Sequence, residues 1–573
     1  MLTDDFFLAT EGKDDPEAEL QATLAAYSTS WLQDNPDSHA RCRFPARYFW
    51  LSKQISLPEY SPQPQQCTRL AKWSLPDQVK SVSLFLVSGY LGNPASVFGH
   101  SLLKLNTDSR DDQAGLFDLT VNYGALVPED EPALRYIANG ITGGYQAGFS
   151  DRYFYTQDLV YSRTEFRDIW DYELHLSEEQ KTFLVFHLWE ILGKKFTYYF
   201  FDQNCAFRLA ELLELVLEEP LLEHAAVWYA PVETFHRLED IDRARKKQGK
   251  ELLISSVRFI PSAQRALYHR FGLLDAEEKR TVQAVLRDGA DSLNKHLNQI
   301  AEEQRPEVVD TLLAHSNCRL IAQAPAPAEE LLQEKKELLL ARLRLPPRTA
   351  PPAEVPARQS PAKGNRPQLT GLGIGHTPAR NTYLRLHWAP FTQEGVGRNN
   401  LEGDELAVLD TVAGIGGEKV TIFIDRLDLL RIRKLKTDIL PTDGENAWSW
   451  QLRTGMESVE ENNTTIWQDV FFRFGAGRAV KIGDSITAYA MLDASAHSEQ
   501  PHVRLFPHIG IVSKGERFGA RFYAGGENII KGDEPEPVYG AELQYGVSEQ
   551  FAVALSAARR RKTKIAVELK WYW

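Results

Sequence analysis

"YFFDQNCAFRLAELLELVL" occupies residues 199–217. An aromatic run stops at Asp202-Gln203-Asn204, a single cysteine follows, and a leucine-rich segment begins at once. Asn204 has the short polar side chain an N-cap needs, so the spacing predicts a helix from Cys205 to about Leu217. Leu209, Leu212, Leu213 and Val216 give that helix an apolar stripe to lay against a sheet. The macrodipole puts partial positive charge on the first turn, which favours thiolate over thiol. Cys205 therefore stands in a nucleophile's position. The bland alternative is a buried, inert cysteine.

A nucleophilic thiol needs a base. Among 14 histidines, His100 stands out in "NPASVFGHSLLKLN", where it starts a strand directly after a glycine. The next strand carries Asn122, and "DSRDDQAG" (108–115) is the turn between them. A hairpin centred near Asp111 sets residues 100 and 122 opposite each other. Asn122 then accepts a ring N–H and orients the imidazole, and Cys205, His100 and Asn122 make a triad of the thiol-protease type. A tetrahedral oxyanion is expected to meet the Cys205 backbone N–H and the Asn204 or Gln203 side chain. Arg208, one turn into the helix, is a candidate for a phosphate or carboxylate, with a surface salt bridge as its alternative. Tyr145, in the glycine-rich "TGGYQAGFS" (142–150), is expected on a loop over the cleft or in a plain turn.

Working outward, "KSVSLFLVSGYL" (80–91), "SVFGHSLLKLN" (96–106) and "GLFDLTVNYGA" (115–125) read as three strands. From about 160 to 343 the pattern turns helical. "SEEQKTFLVFHLWEILGKKF" (177–196) opens with a capping box, Ser177 and Gln180. The expected organisation is a helical or irregular segment over 1–80, a catalytic domain over 81–240 and a helical extension over 241–344. A proline-rich, semi-rigid linker over 345–366 and an all-β region over 367–573 complete it.

The chain has 573 residues, 43% of them hydrophobic, and a net charge of −13. That length suggests about three domains, and the acidic balance argues against nucleic acid as a partner. Of the four cysteines, Cys42, Cys67, Cys205 and Cys318, none forms a C-x-x-C pair, so no zinc ribbon is expected; no other metal site and no cofactor is expected. Cys42 and Cys67 are close enough for one disulfide in an oxidising compartment. Met1-Leu2 runs straight into Thr3-Asp4-Asp5 without a basic start or apolar core, so no signal peptide is read in this chain. No run of about 18 apolar residues suggests a transmembrane helix.

"NPASVFGHSLLKL", "VNYGA", "GGYQAGFSDRYFY", "EFRDIWDYEL" and "DQNCAFRLAELLE" together resemble the Lnb-type N-terminal periplasmic domain family, over about residues 85–225. The resemblance implies an α+β, circularly permuted papain-like (NlpC/P60-type) fold in which the histidine strand precedes the cysteine helix. His100 and Cys205 fall on the family's histidine and cysteine. The family includes bacterial lipoprotein N-acyltransferases. The resemblance thus implies a periplasmic thiol acyltransferase or hydrolase that works on lipid or lipoprotein acyl groups through a thioester. The same dyad also serves cell-wall peptidases and amidases, and a non-catalytic envelope scaffold is the third alternative.

The β-rich tail is read as a barrel of about 10–12 strands. In "KIAVELKWYW" (564–573), Ile565, Val567, Leu569, Trp571 and Trp573 point one way; Ala566, Glu568, Lys570 and Tyr572 point the other. "FGARFYAG" (518–525) alternates similarly. The pattern resembles the closing strands of an outer-membrane barrel with an apolar lipid face, with a soluble barrel as the alternative. An outer-membrane anchor in a Gram-negative envelope follows from it, and the oligomeric state does not.

Overall fold

The computed structural model describes residues 3–30, 35–57, 66–74, 78–89, 97–107, 114–128, 131–222, 228–322, 329–347, 354–398, 404–416, 421–437, 448–460, 466–483, 485–500, 502–527 and 535–573. The chain divides into two units, Met1–Arg265 and Ala266–Trp573.

The first unit is built on a seven-stranded antiparallel sheet. Its strands are β1 (Val79–Val87), β2 (His100–Thr107), β3 (Leu119–Ala125), β4 (Tyr145–Tyr153), β5 (Ile169–Leu174), β6 (Lys195–Tyr198) and β7 (Ile254–Ile260), in the order β6-β4-β3-β2-β1-β5-β7. Val82–Val87 and Ser101–Leu105 are buried throughout, so both faces of the two central strands are covered. Three helices supply much of that cover: α1 (Glu178–Ile191), α2 (Cys205–Glu214) and α3 (Pro231–Gln248). Ser177 and Gln180 close a reciprocal capping box at the start of α1. Cys42 and Cys67 are joined by a disulfide, Cα–Cα 5.3 Å, and pack with Phe186 of α1.

The stretch from 160 to 343 is not purely helical, because β5, β6 and β7 interrupt it. Each has only four to seven residues, too few for their period to stand out between long helices. The sheet also runs beyond residue 240. β7 pairs with β5 from Ile169↔Ile260 to Leu174↔Ile254, and α3 crosses the expected boundary without a break.

In the second unit, helices Ala276–Asp288, Arg305–Ala322 and Glu329–Leu343 share a core of Val282, Val285, Val308, Leu312 and Leu338. Residues 354–360 then carry no regular structure. The end of the expected linker is not a free spacer. Ala362 is buried, and Asn365 is tied to the barrel by bonds from its Nδ2 to the Glu549 carbonyl (3.0 Å) and from the Arg398 N–H to its Oδ1 (2.6 Å). Part of that linker, 348–353, lies outside the described residues.

The rest is a closed antiparallel barrel of 12 strands, with Phe391–Gln393 as an added short strand on Glu405–Gly416. Lys562–Tyr572 closes it against Leu369–Thr377, and Asn381–Ala389 pairs with Glu405–Gly416. Its polarity is inverted relative to the first unit. Ile374, Phe472, Ile509, Phe522, Val567 and Leu569 are exposed on the outside. The inside holds ion pairs. Asp428 accepts from Arg431 (2.6 Å) and Arg453 (2.7 Å), and His387 sits between Glu568 (2.6 Å) and Asp410 (2.8 Å). They surround a cavity of about 380 Å³ lined by Arg385, Arg473, Glu542 and similar groups. An even strand number, an apolar belt and a polar lumen are the features of a barrel solvated by lipid. Among the described residues no helix is long and apolar enough to cross a membrane.

Candidate active site

Helix α2 starts where Asn204 caps it. Oδ1 of Asn204 accepts from the backbone N–H groups of Ala206 (3.1 Å) and Phe207 (3.2 Å). Its Nδ2 donates to the carbonyls of Phe200 (3.0 Å) and Tyr229 (2.7 Å). Asn204 is thereby saturated and positions the helix; it is not a free oxyanion donor, contrary to expectation. Gln203 Oε1 accepts from Arg208 Nη2 at 2.7 Å, and Arg208 Nη1 bonds Glu211 at 2.7 Å. Arg208 therefore takes the salt-bridge role. Tyr145 is the first residue of β4 and buried, with its ring 5.8 Å from that of Tyr136. It is part of the sheet, not of a covering loop.

Cys205 is buried and opens α2, which packs against β2, the strand that His100 begins. Backbone N–H groups of Ser101, Ala206 and Cys205 reach the sulfur. The residue before His100 is Gly99, at φ +97°, where an added Cβ would meet the Val87 carbonyl at 3.0 Å. Only glycine fits that turn into the strand.

His100 Nε2 lies 2.7 Å from Asn122 Oδ1. The register differs from the one expected. Asn122 stands opposite Leu102, so it meets His100 along the diagonal, two residues off. Both side chains still share one face because the shift is even, and a diagonal pair of long side chains can touch. With Oδ1 as acceptor, Nε2 carries the hydrogen and Nδ1 keeps its lone pair as the basic nitrogen.

Burial dominates the electrostatics. It pushes the Cys205 thiol up to about 11, against the pull of the Ser101 and Ala206 N–H groups and Arg167. It brings His100 down to about 4; Arg167 adds to that and the Asn122 bond opposes it. The resting pair is thus neutral thiol and neutral imidazole. The first-turn N–H groups favour the thiolate, but burial outweighs them, because a partial charge does not offset the loss of water around a buried anion.

Two residues not singled out in the sequence complete the site. Tyr161 lies in a π-helical turn, Leu159–Thr164, with its ring 5.6 Å from the imidazole. Beneath it the Arg167 guanidinium carbon is 5.2 Å from the Tyr161 ring centre. Arg167 donates to the Ser88 carbonyl (2.6 Å) and to Glu165 (2.9 Å). Phe166, at φ +53°, turns the chain so that Arg167 points inward. A bulky residue in that region stores backbone strain, which tends to cluster near functional sites. The motif "EFRDIWDYEL" contained Arg167, but nothing in its pattern marks an arginine as buried.

Residues 69–240 match the family model described as the Lnb N-terminal periplasmic domain. Residues 1–54 and 358–573 match two families described only as domains of unknown function. No curated protein matches the chain. Among solved structures, the KdgM porin is 8% identical with a TM-score of 0.23, covering 36% of this chain and 99% of its own. A triple mutant of the Rhodopseudomonas blastica porin is 11% identical with a TM-score of 0.19 and the same coverages. The periplasmic-domain match, the apolar outer belt and the charged lumen mark this chain as a membrane-associated protein of the Gram-negative envelope.

Proposed function

We propose that the first unit is a permuted papain-like thiol enzyme that transfers or hydrolyses acyl groups of lipids or lipoproteins through a thioester on Cys205. The observation that carries this reading is the anchored imidazole. Asn122 holds Nε2–H at 2.7 Å, and helix α2 sets the thiol beside the strand on which that ring stands.

With both groups neutral at rest, proton transfer accompanies attack. As Sγ bonds to the carbonyl carbon of an ester, the thiol proton passes to His100 Nδ1 and the Cys205 N–H donates to the carbonyl oxygen. On collapse, His100 returns the proton to the leaving alkoxide, which departs as an alcohol and leaves an acyl thioester. An amine or water then adds to the thioester, gives its proton to His100, and the thiolate leaves and is reprotonated. Tyr123, Tyr136, Tyr161 and Tyr198 lie within electrostatic reach of the sulfur. Such an aromatic lining suits an acyl chain better than a charged peptide. Incubation of the full chain with phospholipid vesicles, followed by intact-mass measurement, should trap a fatty-acyl increment on Cys205. An increment that persists in Cys205→Ala would defeat the proposal.

A second reading, a non-catalytic scaffold, draws on the burial of Cys205. It predicts no adduct with any acyl donor.

A further inference from the structure

The segment that backs His100 has a second, outward side. Helix Phe154–Asp158 runs directly into the π-helical turn Leu159–Thr164. Phe154 and Tyr161 point in, packing with Phe85, Val87, Leu102 and Ile169 beneath the His100 face of the sheet. Tyr155, Leu159 and Val160 point out. With Phe117 and Tyr153 they form a group of large side chains between 40% and 68% exposed. The group is contiguous: the Phe117 and Tyr155 rings are 5.9 Å apart, and those of Tyr153 and Tyr155 stack at 6.2 Å. Tyr155 and Leu159 are one helical turn apart and so share a face. Arg152, exposed at the edge of this group beside exposed Asp151, is close enough to act electrostatically on Tyr161, and Arg163, exposed on the same turn, pairs with Asp158 at 2.9 Å.

We infer that Phe117, Tyr153, Tyr155, Leu159 and Val160 form a bilayer-docking patch that seats the site on the membrane from which it draws its acyl donor; this rests on the acyl-transfer reading above.

Two observations favour a lipid surface as occupant. The patch pairs aliphatic residues with tyrosines, whose apolar bodies and polar tips suit the headgroup boundary. The same chain carries a barrel with an apolar outer belt, so a bilayer is at hand. The patch is also continuous with the site through the turn that carries Tyr161. A lipid drawn partly out of the bilayer there would meet the catalytic ring's own support.

The first test reads docking without activity. The environment-sensitive dye NBD is placed at Val160→Cys in a full-length Cys205→Ala, Cys318→Ser chain. The chain is then reconstituted in vesicles of phosphatidylethanolamine and phosphatidylglycerol. Blue-shifted emission that lipid-borne doxyl labels quench is expected. Emission as in water and blind to doxyl lipid overturns the patch. A shift that follows protein density instead assigns the surface to a second copy and overturns it equally. The second test reads turnover. The double variant Tyr155→Asp, Leu159→Asp should lose about tenfold or more on a vesicle-borne ester, because two apolar groups that dock become charged. It should keep parental turnover of a water-soluble short-chain thioester. Equal loss on both substrates overturns the docking role. If the parent turns over neither, the acyl-transfer reading fails while the NBD result still decides the patch.

Discussion

The two units solve opposite solvent problems with the same antiparallel pairing. In the first, Leu84, Phe85 and Val121 are buried and both faces of the two central strands are covered. In the barrel, Val567 and Leu569 are half exposed on the outside while Asp428 and Asp410 are fully buried inside. An apolar interior makes the few polar groups within it costly unless each is bonded. At Cys205 and His100 in the first unit, burial favours the neutral form of both groups, while other buried charges there are paired, as Lys104 is with Asp118 at 2.9 Å. The barrel interior is largely charged, and its buried charges bond one another, as at Asp428 with Arg431 and Arg453. Burial thus favours neutral titratable groups at Cys205 and His100 and paired charges in the barrel.

The contrast is most exposed to failure at the neutral pair. Cys205→Ala and His100→Ala should each lower turnover by at least about 10²–10⁴ while leaving the fold unchanged, since a nucleophile or its base is removed. Near-parental rates in either variant would end the enzyme reading. The next largest effect lies in the barrel. Asp428→Ala leaves Arg431 and Arg453 without their shared acceptor, and breaking a buried pair costs about 3–5 kcal/mol. Urea unfolding in lipid vesicles measures it; a change below about 1 kcal/mol would mean that lumen water replaces the carboxylate with ease.

Val567 tests the outer face. It stands across from Leu555 and Ile374 on the neighbouring strands, and all three are exposed. Val567→Lys should cost about 2–4 kcal/mol if that face meets hydrocarbon at mid-depth. If the variant unfolds as the parent does, water bathes the belt and the barrel is a soluble appendage.

The barrel was legible because strand alternation is a local signal. Val567 and Glu568 declare opposite faces within two residues, and the closing strand shows it four times over. The helix at Cys205 was legible for the same reason: Asn204 and the leucine stripe are close neighbours in sequence. What escaped was set by distant contacts. Asn204's amide is consumed by the Phe200 and Tyr229 carbonyls, and a pattern of residue types does not reveal that. The two-residue register offset at Asn122 follows from the pairing of Leu102 with Asn122; residues 108–113 between the two strands lie outside the described ones. Arg167 reads as an ordinary surface charge until the φ of Phe166 turns it inward.

Asn122 sharpens the comparison further. Asn122→Ala removes the anchor of Nε2–H but no bond-making group, so its loss of turnover should be well below that of His100→Ala. Asn122→Asp would add an anion beside the ring and raise the His100 pKa, moving the acid limb of activity upward. A drop as deep as that of His100→Ala would show that the ring cannot find its position without the amide.

The subtlest test concerns protonation. A thiol pushed up to about 11 is ionised to only ~10⁻⁴ near neutrality. Iodoacetamide labelling of Cys205 should therefore climb about tenfold per pH unit through the neutral and mildly alkaline range, because only thiolate reacts. Labelling that is fast and flat from mildly acid pH upward would instead reveal a resting thiolate–imidazolium pair. Linkage fixes the stability signs. Folding lowers His100 from 6.5 to about 4, so the folded state binds fewer protons across that window and stability falls as pH drops through it. Folding raises Cys205 from 9.0 to about 11, so the folded state keeps its proton there and stability falls as pH rises through that window. Arg167 lowers both groups. Arg167→Met should accordingly raise both: the acid limb of turnover shifts upward, and labelling at a fixed alkaline pH slows. If the two shift in opposite directions, Arg167 acts on the site through packing of Tyr161 and not through its charge.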